Sequence, residues 1–507
     1  MPDNSIKSIL IVGGGTAGWM TASLLNRFLD SSRCRLTLVE SAEIGIIGVG
    51  EATVPPLVNF LKAIGADEND FMRQCHASYK LGIKFIDWYR LGHSLWHPFG
   101  IVGGAIDHID LFHHWLKSRR LGRNEGPYTS YSLQALLGDL NKAPRTLTGQ
   151  STITQQGGYA YHLDAREFAA YLMRLATGRG VQRLVDNVRS VALDERGFVR
   201  HVDTEKNGAL AADLFIDCTG FAGILIERAL GDRYIAWSDY LLCDRAVALP
   251  LPYDEEMASY TKATARSAGW IWRIPLSHRV GCGYVYSSRF ISDDAAAREL
   301  LAHAEQDADR AEPRHLRMRI GRRTNFWIKN CVSVGLSSGF LEPLESTGIY
   351  LIQKSVEALL DLFPDRGFNE VGVRHYNDRL AKAYEEVRDF IVMHYMLTQR
   401  DDTEFWKANR AIAPPDSLAE TLELYDQTGS VNWQHHSLFG ETSFYAIAAG
   451  FERLPRTHSP LADFSDNEKS WRILDTIKSR NRQFAQSFPP QADYLAELHG
   501  TRDPAQR

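Results

Sequence analysis

A short apolar run, Ile9-Leu10-Ile11-Val12, predicts a strand buried on both faces. It passes directly into Gly13-Gly14-Gly15-Thr16-Ala17-Gly18, after which Met20, Leu24, Leu25 and Phe28 recur at helical spacing. A second apolar run, Leu36-Thr37-Leu38-Val39, predicts the next strand and ends in Glu40, 22 residues beyond Gly18. Residues 212–220 and 331–336 each read as a further buried strand, the first closing on Thr219-Gly220 and the second followed by Gly339. From about 220 to 330, strand-like runs alternate with turns, whereas 351–400 is mainly helical until Ala413-Pro414-Pro415 breaks the pattern. The last twenty residues are polar, contain Pro490 and Pro504, and are expected to fray.

The first forty residues also have a chemical reading. Gly13, Gly15 and Gly18 fit G-x-G-x-x-G between a strand and a helix, with an acidic residue ending the next strand. Gly13 permits the tight turn and Gly15 lets backbone amides approach a pyrophosphate. Gly18 lets helix and strand pack closely, and the helix N-terminus adds partial positive charge. Glu40 suits ribose hydroxyls. A glycine loop alone is weak, since an ordinary tight turn looks the same, but strand, loop, helix and acidic strand end together point to a dinucleotide site. The strand-to-glycine element near 212–220, some 200 residues later, suits a long interrupted flavoprotein core and favours FAD over NAD. The strand at 331–336 is placed to bring backbone near the flavin.

Composition narrows the classes. The 507 residues are enough for about two to four domains. With 44 % apolar and 23 % charged residues, the chain is neither disordered, collagen-like nor coiled coil. A net charge of −5 offers no general footprint for nucleic acid or anionic membrane. The 11 Trp, 20 Tyr and 23 Phe mostly fill cores in such proteins, yet they also suit a flat ligand. Cys34, Cys75, Cys218, Cys243, Cys282 and Cys331 are scattered singly, which reads as isolated thiols in a reducing compartment rather than a disulfide frame or zinc site. No signal peptide is read, and glycines break the early apolar stretch 9–25, so the expected location is cytoplasmic with no membrane association. His93, His97, His108, His113 and His114 crowd one region without a metal-ligand signature, so no metal is expected. Arg322-Arg323 and His435-His436 read as solvated or structural pairs, and His394 as packing on a helix.

Gly269-Trp270-Ile271-Trp272-Arg273-Ile274-Pro275 matches G-W-x-W-x-I-P. On a strand, Trp270, Trp272 and Ile274 share one face. With the loops Gly48-Val49-Gly50-Glu51-Ala52-Thr53-Val54-Pro55 and Phe340-Leu341-Glu342-Pro343-Leu344-Glu345-Ser346-Thr347-Gly348-Ile349, and the contexts of Tyr161-His162-Leu163-Asp164 and Trp406, the chain resembles flavin-dependent halogenases of the tryptophan halogenase family over about residues 5–465.

That resemblance implies an α/β fold: a doubly wound, FAD-binding core of the glutathione-reductase or flavin monooxygenase kind, with a largely helical C-terminal substrate part. The expected domains are a core of 1–360, with inserted segments at about 85–160 and 225–320, and a helical part of 361–507. It also implies a two-component reaction. Reduced FAD from a separate flavin reductase, oxygen, and chloride or bromide make hypohalous acid, which halogenates an indole-type ring at a second site. Gly13, Gly15, Thr16, Ala17, Gly18, Glu40, Gly50, Glu51, Ala52, Thr53, Leu336 and Ile349 are the implied FAD contacts. Backbone amides of Thr347 and Gly348 are the implied halide site, and Trp270, Trp272 and Ile274 the tunnel wall.

Lys80, in Ser78-Tyr79-Lys80-Leu81-Gly82, matches the family's essential lysine, which presents the electrophilic halogen to the ring. Glu345 matches the second catalytic residue, with Ser346 in support; Glu342, three residues earlier, is its rival. The region Phe439-Gly440-Glu441-Thr442-Ser443-Phe444-Tyr445-Ala446 stands where free-tryptophan halogenases clamp the amino and carboxylate groups, and no such clamp is recognisable in it. Indole or another electron-rich arene is therefore as plausible a substrate as tryptophan, with Trp96, Phe99, Trp433 and Phe444 as candidate walls. Two other readings compete. A flavin-dependent aromatic monooxygenase would need substrate beside the flavin, against which the Trp270/Trp272 wall and the Lys80/Glu345 pair argue. A non-catalytic flavin-binding relative is the third.

Overall fold

A computed structural model describes residues 3–43, 50–146, 153, 158–253, 256–306, 312–432 and 437–500. The described chain is mixed α/β and falls into two compact units. Unit 1 is Met1–Ala77, Leu163–Ser238 and Met318–Glu385; unit 2 is Ser78–His162, Asp239–Arg317 and Glu386–Arg507. The two segments read as insertions thus group mainly with the C-terminal helices, and the helix that runs across residue 385 starts in unit 1.

Unit 1 is built on a six-stranded sheet. In spatial order its strands are Gln182–Val185, Arg35–Glu40, Ser8–Val12, Leu214–Asp217, Cys331–Ser333 and Trp327–Ile328; all but the last neighbour pair are parallel. Parallel strands covered on both faces read as continuous apolar runs, which is why Ile9 to Val12 showed no alternation. The helix Thr16–Phe28 follows the glycine loop. Beyond Cys331–Ser333 the chain leaves the sheet, and Gly335–Ser337 is a 3-10 turn rather than the continued strand expected to 336. Gly335 has φ +78°, and a Cβ there would lie 2.6 Å from the Ala17 Cβ, so a turn with this close approach replaces extended backbone.

Unit 2 carries a seven-stranded sheet in the order Arg314–Arg317, Arg245–Leu251, Val280–Tyr286, Gly269–Pro275, Thr261–Ala265, Gly82–Ile86 and Ser94–Pro98. One face holds Ile271, Cys282, Tyr284, Val247 and Leu249, packed with Ala296, Leu300 and Leu301 of the helix Asp293–His303. The other face holds Trp270 and Trp272. Register sets Trp272 between Gly283 and Ala263, and a Cβ at Gly283 would lie 2.2 Å from the indole. The missing side chain at Gly283 is what leaves room for the indole.

The helical stretch beyond 351 divides in two, as Gly348–Asp361 and Glu370–Met396. Within the last twenty residues, those described, up to Gly500, depart from the expected fraying. Residues Gln491–His499 form a helix after Pro490, with Gln491, Tyr494 and Leu495 buried. Its polar composition hid one fully enclosed glutamine. Among the described residues no helix is long and apolar enough to cross a membrane.

Candidate active site

In unit 1 the glycine loop is set by close packing on both sides. Gly13 has φ +110°, and a Cβ there would sit 2.2 Å from the Cys218 carbonyl oxygen. At Gly18 a Cβ would sit 1.9 Å from the Gly13 carbonyl oxygen. Gly15 differs, with open space where its Cβ would be. Gly15 is the N-cap of the helix Thr16–Phe28, has no side-chain cap, and no acidic residue occupies the first turn. The leading N–H groups of that helix are therefore offered to an anion. This is the cradle a pyrophosphate needs, and the loop fits a dinucleotide.

Glu40 lies against this loop, with Gly14 pressed on its carboxyl group. Its Oε2 accepts from Trp19 Nε1 at 3.2 Å and its Oε1 from Arg183 Nε at 2.5 Å. Neither partner was singled out from the sequence. Trp19 directly follows the G-x-G-x-x-G and was available as a signal; Arg183, 143 residues away on a neighbouring strand, was not. The strand expected to end in Thr219-Gly220 does end beside the loop, with Cys218 N–H donating to Val12 O at 2.8 Å.

Gly50, Glu51 and Ala52 form a short strand, and burial pushes the Glu51 carboxyl up to about 7. Ala52 and Thr53 are buried; Gly48 and Val49 lie outside the described residues.

The loop 343–349, also in unit 1, is a 3-10 turn, Pro343–Glu345, leading into the helix Gly348–Asp361. Glu342 and Glu345 are both fully buried. Ser346 takes the left-handed conformation, φ 60° and ψ 36°, unusual for a residue with a side chain. Thr347 is the N-cap of the following helix, again with no side-chain cap and no acidic residue in the first turn. Gly348 has open space at its Cβ position. The leading N–H groups of this helix thus lack a side-chain cap, and Ile349 follows within the first turn.

In unit 2, Lys80 ends the strand Ser78–Lys80, pairs with Ala160 of Ala160–Asp164, and is completely buried. Its Nζ stands 5.1 Å from the centroid of the Phe99 ring. The strand's other edge is closed from the C-terminal helix: Tyr79 N–H donates to Gln491 Oε1 at 3.0 Å, and Gln491 Nε2 donates to Ala258 O at 3.0 Å. Ser78 Oγ donates to Pro275 O at 2.6 Å, at the end of the Trp270/Trp272 strand. The indoles of Trp270 and Trp272 lie 6.3 Å apart at 61°. Trp272 Nε1 is buried with no hydrogen-bond partner among the described residues.

Other residues singled out from the sequence have plainer surroundings. Trp96 packs on Tyr260 and Lys84 and donates to Asp139, on the opposite side of its strand from His97. Phe444 packs on Tyr425, and Tyr445 stacks on Phe112 at 4.1 Å. His97 lies against Phe390 and Phe439, whose rings stack at 4.0 Å. His114 bonds Ile106 O, and His113 accepts from Ser459 N–H. Arg323 is buried and paired with Glu227, and Arg322 pairs with Glu385, so this couple is structural. Trp433, His435 and His436 lie outside the described residues.

The tryptophan halogenase family model matches residues 8–467. The chain is 38 % identical to tryptophan 6-halogenase SttH of Streptomyces toxytricini over 97 % of its own length and 98 % of the relative's. Among solved structures, BrvH, a flavin-dependent halogenase from Brevundimonas sp. BAL3, superposes with a TM-score of 0.91 at 41 % identity, covering 98 % of this chain and 100 % of that one. Xcc4156, a flavin-dependent halogenase from Xanthomonas campestris, gives 0.91 at 38 % identity, with 97 % and 98 % covered.

Proposed function

Because this chain belongs to the tryptophan halogenase family, we propose that it is an FADH2-dependent halogenase of an indole-type aromatic ring, with Lys80 as the residue that delivers the halogen. Reduced FAD, when bound at the glycine loop, supplies with oxygen the two-electron oxidation of halide: FADH2, O2, halide and one proton give FAD, hypohalous acid and water. Gly13, Gly15, Thr16, Ala17 and Gly18 hold the dinucleotide, Glu40 its ribose, and Gly50 to Thr53, Leu336 and Ile349 the flavin. The uncapped N–H groups at Thr347 and Gly348 hold chloride or bromide. Trp270, Trp272 and Ile274 wall the path of the hypohalous acid.

The observation that carries the role of Lys80 is its complete burial beside an aromatic ring. Taking an ammonium out of water is costly and has to be compensated by groups within the protein, so Lys80 is not a solvated surface charge. Its N–H donates to the oxygen of hypohalous acid, drawing electrons from the halogen. The ring's π pair then attacks the halogen, the O–halogen bond breaks, and the oxygen leaves as water with a proton from Nζ. Glu345, with Ser346 in support, is the second catalytic residue that the family resemblance implies, a carboxylate suited to offset positive charge on the ring and to take its proton. Lys80 regains a proton from solvent as Glu345 releases one.

SttH is named for tryptophan. For this chain the proposed substrate is an indole-type ring, indole or a tryptophan-like molecule, and Phe444 and Tyr445 in the region 439–446 are engaged in aromatic packing. A separate flavin reductase is the proposed source of FADH2, and a cytoplasmic location is proposed from the six buried free cysteines. The test is mass spectrometry of reactions with a flavin reductase, FAD, NADH, oxygen and bromide or chloride, offered indole and tryptophan separately. A halogen isotope pattern on indole, absent in Lys80→Ala, is expected. Hydroxylated product formed without halide would overturn the reading.

A further inference from the structure

Lys80 shares its strand face with Ser78, and Ser78 faces His162 across the strand pair. All three are fully buried. Ser78 Oγ lies 3.2 Å from His162 Nδ1, and His162 Nε2 lies 2.9 Å from Thr261 Oγ1. The protons in this chain follow from the partners. Ser78 has one hydroxyl hydrogen, and it goes to the Pro275 carbonyl, which only accepts. Ser78 therefore offers His162 a lone pair, so Nδ1 carries the ring proton. Burial, with the Lys80 charge adding to it, holds the imidazole well below its ordinary range and hence neutral. Nε2 is then bare and accepts from the Thr261 hydroxyl. Every hydrogen in Thr261–His162–Ser78–Pro275 has one direction.

We propose that His162 is a positioning residue for Lys80: its Nδ1-protonated ring ties the Lys80 strand to the strands Thr261–Ala265 and Gly269–Pro275, and so sets where the ammonium meets hypohalous acid. The inference rests on the reading of Lys80 given above. The ring spans two hydroxyls from elements far apart in sequence, and it does so without placing a second positive charge beside the ammonium. A cationic side chain at 162 would repel Lys80; an apolar one would leave Ser78 and Thr261 unlinked.

The test separates making hypohalous acid from delivering it. The full chain is supplied with FAD, a flavin reductase, NADH, oxygen, bromide and indole, and two quantities are measured: brominated indole, and hypobromous acid captured by a 1,3-diketone trap. In His162→Phe the share of bromine reaching indole is expected to fall about tenfold or more, because a displacement of an ångström at a delivering group has effects of that size. His162→Asn, whose amide N–H stands in for Nδ1–H toward Ser78, should recover most of that share. A purely structural histidine would lower the melting temperature and total turnover while leaving the partition unchanged, and that result would overturn the proposal. If His162→Phe does not fold, Thr261→Val removes one link alone, and an unaltered partition there is equally fatal. Halogen transfer that persists in Lys80→Ala would instead defeat the underlying reading of Lys80. Loss in Lys80→Ala together with an unchanged partition in the His162 and Thr261 variants would defeat only this inference.

Discussion

In unit 1, the glycine loop is shaped by its own neighbours in sequence and by the ends of adjoining strands: Gly18 against Gly13, Gly13 against Cys218, Gly14 against Glu40. In unit 2, the three-residue strand that carries Lys80 is held by Gln491, His162 and Pro275, which lie far apart along the chain. Both regions are tightly packed, but the first offers backbone N–H groups and the second offers one buried cation. A backbone cradle needs only small residues at fixed offsets. A buried ammonium needs a strand whose every edge is tied down, because a loose strand would let the charge find water.

The largest expected effect separates the two regions outright. Lys80→Ala should lower indole halogenation by about 10²–10³-fold or more, the range for loss of a preorganised donor, while oxygen-dependent hypohalous acid formation persists. Mass spectrometry of the product and chemical trapping of the acid read the two halves.

The glycine loop can be broken at a close-packed position and sharpened at an open one. Gly18→Ala places a Cβ 1.9 Å from the Gly13 carbonyl oxygen and should abolish FAD binding and lower the melting temperature. Gly15→Ala, with open space at that position, should fold as the parent does and lose only flavin affinity. Fluorescence titration with FAD, alongside thermal melts, distinguishes them.

A smaller effect is expected where the Lys80 strand meets the C-terminal helix. Gln491→Leu leaves the Tyr79 N–H without its acceptor, a cost of about 1–3 kcal/mol for a buried donor. Denaturant unfolding should register it, and halogenation of indole should fall with it, whereas FAD affinity should hold.

A last effect, confined to a pH window, concerns Glu51, whose carboxyl is raised by burial from 4.5 to about 7. The folded state keeps its proton where the unfolded chain releases it. Its contribution is therefore fully present below pH 4.5 and is lost as pH rises through about 7. Glu51→Gln should remove this dependence, so the variant's melting temperature should gain on the parent's between those two pH values. Parallel melting curves across that window would check it.

The readings made from local pattern followed the chain closely where one short stretch contains the whole device. Ser8–Val12 is a continuous apolar run, Thr16–Phe28 and Arg35–Glu40 are each contained in one stretch, and Gly269–Pro275 puts Trp270 and Trp272 on one face as alternation demands. Departures came where distant packing overrode the local signal. Residues 334–337 leave the sheet because Gly335 must clear Ala17, and the polar tail at 491–499 is helical because one glutamine completes a remote strand. At the candidate site, Lys80, Glu345 and the glycine loop were visible as motifs. Arg183 and Gln491 were not, since nothing in their own surroundings in sequence marks them.

The amino-acid sequence by itself marked the glycine loop and the indole-bearing strand, because each depends on spacing within one element, whereas Lys80 and Glu345 were legible only through resemblance to a family. Only the tertiary structure decided that Lys80 is wholly buried, that the ring proton of His162 sits on Nδ1, and that Glu40 is gripped by Trp19 and Arg183. Burial and hydrogen-bond direction depend on which groups the fold brings within about 3 Å of one another, and separation along the chain carries no record of that.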